Sequence, residues 1–323
     1  MYNIECFAVF KRAFRHMTEI LFRPFDIVKW FVLGFSAWLA TMFNSAGFRF
    51  EDDEKSRKVG LALRDIFLGD GSFVGRICRY FQIEESIFWL IISGTVALML
   101  FMIAVTLILL WISSRFKFIF INNLANDNTE IADAWTRFKE PGNSAFRWLF
   151  AWGAAVSLIS VTFFIIMTAI IYPLANEFSG TGNISISGLL VLMFVAAIYL
   201  FIVSFMLIGL YLFNEFVLLI MFRRNMHARS ALREFMKLLG AAPLTFLKFI
   251  ILQILVSIAC FIVVAVFIIC TCCIAAKPLF VPYIGTVLLL PVFVFQRLQA
   301  MELMAAFGDE FSPYPQKTSP EGK

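Results

Sequence analysis

Three ionisable residues interrupt apolar runs at similar positions: Arg115 in WISSRFKFIFINN, Glu215 in LYLFNEFVLLIMFRR and Arg297 in FVFQRLQAMELMAAF. A carboxylate and two guanidinium groups in a membrane suit three kinds of chemistry. They can lock helices as an ion-pair network, snorkel separately to the headgroups, or bind an anionic headgroup or a transported ion. An isolated charge deep in a membrane helix costs about 2.5 to 3.5 kcal/mol on insertion scales, so mutual pairing is its natural compensation. The cluster Arg115, Glu215 and Arg297 is therefore the candidate site, structural or ligand-binding.

Other reactive residues give weaker signals. Cys270, Cys272 and Cys273 form the run CTCC, and a metal there would need further ligands. His16 and His227 are expected on the other side of the membrane, so no metal site follows. The cysteines read as small apolar helix residues, with a disulfide to Cys78 as the alternative in an oxidising compartment. His16, on a basic helix, and His227, in RRNMHARS, read as solvated interface residues. There is no Walker loop, dinucleotide glycine pattern, HExxH or GxSxG, so no catalytic residue and no cofactor is indicated.

The elements that carry these residues are membrane helices. With 61% hydrophobic and 15% charged residues, and 40 Phe in 323 positions, the composition lies outside that of soluble domains. About 20 apolar residues cross a hydrocarbon core of roughly 30 Å, and six stretches approach that length. They are 27–43, 87–112, 148–172, 188–213, 249–276 and 279–295. The expected fold is all-α: a polytopic membrane protein with one integral domain over 1–311 and a flexible cytoplasmic tail over 312–323. The first span follows a long charged segment without a cleavage site, and so reads as an anchor. The outer loop NEFSGTGNISISG, at 176–188, is polar and glycine-rich. Residues 59–83 suit two short helices broken at Gly69 and Gly71. Pro278, Pro282 and Pro291 bracket the sixth span as a turn or as a kink.

A threefold pattern runs along the chain. Residues 4–21 place Ile4, Phe7, Phe10, Phe14, Met17 and Leu21 on one helical face, suited to lying in the membrane surface. A second amphipathic segment carries Ile131, Trp135 and Phe138 behind Asp127 and Glu130, which have capping-box spacing. A third carries Leu232, Phe235, Met236 and Leu239. Each is followed by a breaker, a basic residue and an aromatic residue: Pro24, Lys29, Trp30; Pro141, Gly142, Arg147, Trp148; Gly240, Pro243, Lys248, Phe249. Three units of surface helix plus helical hairpin produce this order, although basic and aromatic flanks are also general at membrane entry points. Phe14, Trp135 and Phe235 are the expected interfacial anchors.

Positive charge sets the orientation. Of the 27 Lys and Arg, 19 fall in the terminal segments and the loops around 113–147 and 223–248, against 8 on the other side. Both termini are therefore expected in the cytoplasm. Seven of those 8 lie in the long loop 44–86 beside eight acids, where the rule counts for less. The net charge of +5 is scattered over membrane flanks with no stacking platform, which argues against a nucleic-acid partner.

The blocks SSRFKFIFINNL, AWTRFKEPGNSAFRW, NEFVLLIMFRR, CCIAAKPLFVPYIGTVLLLPVFVFQR and AAFGDEF resemble an uncharacterised family of six-span bacterial membrane proteins over residues 85–311. More remotely, the layout is similar to the membrane domain of some bacterial glycerophosphodiester phosphodiesterases, whose catalytic domain has no counterpart here. The resemblance implies a bacterial inner-membrane location, an acidic residue at Glu215 and a basic one at Arg115. It carries no activity.

The expected function is a non-enzymatic role in organising the membrane or docking a protein partner at the cytoplasmic face, with membrane lipids as neighbours. The alternative is a transporter or binder of a lipid or small solute using Arg115, Glu215 and Arg297.

Overall fold

A computed structural model describes residues 4–43, 84–127, 129, 131–181, 185–270, 279 and 281–315. Every element among them is helical: α1 (Cys6–Phe22), α2 (Ile27–Thr41), α3 (Glu85–Asn126), α4 (Ala132–Arg137), α5 (Lys139–Thr181) and α6 (Ile186–Leu212). A π-helical segment, Phe213–Val217, joins α6 to α7 (Leu218–Arg224). Then come α8 (Ala228–Ala241), α9 (Pro243–Cys270), α10 (Pro282–Leu288) and α11 (Leu290–Ala306). The chain forms two compact units, Met1–Met42 with Trp111–Lys323, and Phe43–Leu110.

Among the described residues, four stretches are long and apolar enough to cross a membrane: Trp89–Asn126, Lys139–Leu174, Ile186–Arg224 and Pro243–Cys270. The second and third contain the expected spans 148–172 and 188–213 and run beyond them, while the first and fourth overlap 87–112 and 249–276 with shifted ends. The two remaining spans differ from expectation. At 15 residues, α2 is about 22 Å long, short of the hydrocarbon thickness. The stretch 279–295 is not one helix, because α10 ends at Leu288 and α11 restarts at Leu290. Pro291 explains the break, since it cannot donate to the preceding turn and suits the first turn of a new helix.

In the larger unit the packed core gathers the ends of the long helices. α1 lies along α11, α2 rests on α10 and α11, and α8 packs against α7 and the π segment. Asp26 caps α2 by accepting hydrogen bonds from the Val28 and Lys29 amides, and the Trp30 indole donates to the Leu21 carbonyl at 2.8 Å. Gly34 permits the approach of α10, since a Cβ there would lie 2.6 Å from Val287 Cγ2. At the centre, Phe216 stacks on Phe235 and meets Phe246 and Phe249 edge-on, with centroids 5.1 to 5.6 Å apart. All four rings are buried, and each contributes about 1.5 to 3 kcal/mol through apolar burial.

The rest of this unit consists of apolar arms. Beyond Leu149 on α5, along all of α6, and beyond Gln253 on α9, no described side chain is buried. Phe164, Phe201 and Phe261 are each more than 70% exposed. α5 and α6 pack together as a hairpin, with the Phe163 and Tyr199 rings stacked at 3.8 Å and Ser160 and Tyr199 hydrogen-bonded at 3.1 Å. In the smaller unit, the described side chains of α3 up to Leu110 are likewise exposed or half-buried.

Several local expectations change. The polar stretch from 176 is still helical as far as Thr181. Asp127 does not cap a helix: it adopts φ 50° and pairs with Lys29 at 2.6 Å, while α4 begins after Ile131. The tail is held as far as Tyr314, whose hydroxyl donates to Glu302. The two helices expected within 59–83, together with Cys78, Cys272, Cys273 and residues 316–323, lie outside the described residues.

Candidate functional site

Two of the three expected site residues meet. Arg297, on α11, lies 3.5 Å from Glu215 through Nη1 and Oε2, and the same Nη1 donates to the Asn214 carbonyl at 2.8 Å. Both side chains are mostly buried. Asn214 and Glu215 belong to the π segment, where the wider turn disturbs the ordinary i to i−4 ladder and leaves carbonyl oxygens open to other donors. The guanidinium therefore serves as counter-ion and backbone cap together.

The third charge at this place is Lys117, not Arg115. Lys117 is buried and donates to Asn214 Oδ1 at 2.6 Å, while Asn214 Nδ2 donates to the Leu210 carbonyl. Asn214 thus links α3, α6 and α11 through one residue. Beside it, the Tyr211 hydroxyl donates to Gln253 Oε1 at 2.6 Å and ties α6 to α9. Two cations and one carboxylate, joined by amides, form a network that draws on four helices.

Arg115 lies apart from this network. Its guanidinium carbon sits 4.3 Å from the Trp111 ring centroid and 4.7 Å from that of Trp135, and the two indoles stand perpendicular to each other. Asn143 Oδ1 accepts from both Arg115 Nη2, at 3.1 Å, and Trp111 Nε1, at 3.0 Å. Gly142 leaves room for the arginine stem, because a Cβ there would come within 2.8 Å of Arg115 Cγ. The breaker Pro141–Gly142 therefore falls inside the first turns of α5 and opens space for a neighbour, and it does not separate a surface helix from a span.

The expected anchors divide in the same way. Phe14 is 57% exposed and touches Phe295 edge-on. Trp135 is half-buried beneath Arg115. Phe235 is 1% exposed and belongs to the aromatic core, so α8 turns its apolar face to protein. That corrects its reading as a membrane anchor.

A second polar constellation ties α1 to α11. Glu302 pairs with Arg12 at 3.3 Å, with His16 Nδ1 at 3.4 Å, and accepts from the Tyr314 hydroxyl at 2.8 Å. Burial raises the Glu302 pKa, but the hydrogen bonds from His16 and Tyr314 and the charges of His16 and Arg12 outweigh it and hold the carboxyl below its ordinary range. His16, expected as a solvated interface residue, is half-buried and partners Glu302. Sequence offered a signal for this group, since Arg12 and His16 are one turn apart on α1. Lys117 and Asn214 were also visible as polar residues in apolar runs, but nothing marked them as partners.

The profile of the family of unknown function DUF7544 matches residues 5–308, taking in the packed core, the arms and both polar networks. The chain belongs to DUF7544. No curated protein and no solved structure matches it. Membership in DUF7544 agrees with the resemblance to an uncharacterised family, and it provides no link to glycerophosphodiester phosphodiesterases.

Proposed function

We propose that the protein is a multi-pass component of the bacterial inner membrane, with six crossings in three surface-helix and hairpin units and both termini in the cytoplasm. In this reading the four long apolar helices cross the bilayer, and 27–43 with the broken stretch 279–295 supply the first and sixth crossings. The part of the packed core that lies beyond these crossings is then a cytoplasmic platform. Its role is non-enzymatic: organising the surrounding membrane or docking a protein partner.

The observation that carries this reading is the internal use of the Glu215 network. Glu215, Arg297, Asn214 and Lys117 bond to one another across converging helix ends, as groups that lock a platform do. A buried pair of this kind need not add net stability, but loss of either member leaves an uncompensated charge. The exposed Phe7 and Phe14 on α1 supply apolar contact area at the edge of the platform.

The test pairs topology with mutation. Single cysteines at Ser312 and Ser185 are labelled in intact cells and inverted vesicles with an impermeant maleimide, with the expected outcome that they react from opposite sides. Glu215→Gln is expected to lower the melting temperature in detergent, while Phe14→Glu is expected to alter localisation without lowering it. If Glu215→Gln instead abolishes solute movement in proteoliposomes at an unchanged melting temperature, the transporter reading replaces this one. The Arg115 cradle separately favours a lipid-binding component.

A further inference from the structure

Arg115 is 6% exposed, and among the described residues it forms no ion pair. Asp133 and Glu140, on the two helices beside it, are exposed and leave its charge unmatched. Its Nε is buried without a hydrogen-bond partner. Of five guanidinium N–H donors, the Nη2 bond to Asn143 is the recorded use. Leaving such a group unsatisfied is costly, more so for a charged one.

The surroundings hold the guanidinium in place without neutralising it. Trp111 and Trp135 cover it with ring faces, Asn143 fixes one edge, and Gly142 gives the stem its room. A guanidinium carries its donors along the edge of a planar fork. That geometry matches the oxygens of phosphate, which arginine binds in pairs. The cradle also lies within about two helical turns of the places where α3 and α5 pass from exposed to buried side chains. In the membrane placement proposed above, on which the lipid source depends, this is headgroup depth.

We infer that the cradle of Arg115, Trp111, Trp135 and Asn143 binds a phosphate-class oxyanion, supplied by a phospholipid headgroup or by free phosphate. The anion provides the counter-charge that the chain withholds from Arg115. Glu215, Arg297 and Lys117 form a separate closed network, and the cradle is the ligand site.

The experiment is native mass spectrometry of the full chain in mild detergent, titrated with dioleoyl phosphatidylglycerol or with dioleoylglycerol, which lacks the phosphate. Wild type is expected to retain one phosphatidylglycerol and no dioleoylglycerol. Arg115→Gln should weaken retention about ten-fold or more, the loss expected for a charge-assisted contact. Arg115→Lys keeps the charge and weakens binding several-fold by losing the fork and the indole stacking. Displacement of the lipid by inorganic phosphate alone identifies free phosphate as the source, and resistance to it identifies the headgroup. Equal retention of dioleoylglycerol, or wild-type binding by Arg115→Lys, overturns the proposal even if Arg115→Gln does not fold. Because binding is read in detergent, failure here leaves the membrane topology to the cysteine-labelling result.

Discussion

The packed core and the arms of the larger unit use nearly the same apolar residues under opposite conditions. Phe118, Phe216, Phe235, Phe246 and Phe249 are enclosed by protein, whereas Phe164, Phe201 and Phe261 stand exposed on the arms. The core is also where polar groups are buried: Lys117, Asn122, Asn123, Asn214, Gln253 and Gln299. Polar side chains so enclosed must satisfy one another or pay for desolvation. Hydropathy alone therefore does not distinguish a protein-facing helix end from a lipid-facing one. Interspersed polar residues do, because lipid offers them no partners.

This contrast can be tested by substitution, read as melting in detergent. Phe216→Ala should be among the most damaging changes, about 3 to 5 kcal/mol, since it opens a cavity among three packed rings. Arg297→Leu should cost a similar amount, about 3 to 5 kcal/mol, by stranding Glu215 and uncapping the Asn214 carbonyl. Adding Glu215→Leu to Arg297→Leu should recover part of that loss, and full additivity of the pair would argue against the network. Gly142→Ala should cost about 1 to 3 kcal/mol by crowding the Arg115 stem.

A smaller effect is expected from pH. Because the folded Glu302 carboxyl titrates below its unfolded value, its contribution is present above the ordinary carboxylate range and is lost as pH falls below about 4. A melting series from pH 6 to pH 3 should show this decline, and Glu302→Gln should flatten it. Smallest of all, Phe164→Ala and Phe201→Ala should change stability by about 0.5 kcal/mol or less. A core-sized loss at either arm position would break the distinction between the two regions.

Much of the architecture was legible as runs of apolar residues. The four long helices declare themselves by length, and the charges near their ends by interruption. The partner of Glu215 was harder to read because sequence gives depth along a helix more readily than direction around it. Arg115 and Lys117 are two residues apart, about 200° around α3, so one can face the π segment while the other enters the indole cradle. Depth alone does not choose between them. Phe235 illustrates a second limit, since an apolar helical face looks the same whether protein or lipid covers it. The break at Leu289 follows from Pro291, but α2 stops at Thr41 before its apolar run is finished, and no residue there dictates the stop.

The π segment Phe213–Val217 gives these helices an angular setting as well as a length. Removing one residue from it would convert the wide turn to an ordinary one and rotate α6 by about 100° relative to α7. Tyr199 would swing off Phe163, and Gly209 would leave the Trp152 ring it now admits. The face that α6 presents to its surroundings would change without a substitution anywhere along it. Five residues at the base thus fix the azimuth of a 27-residue arm.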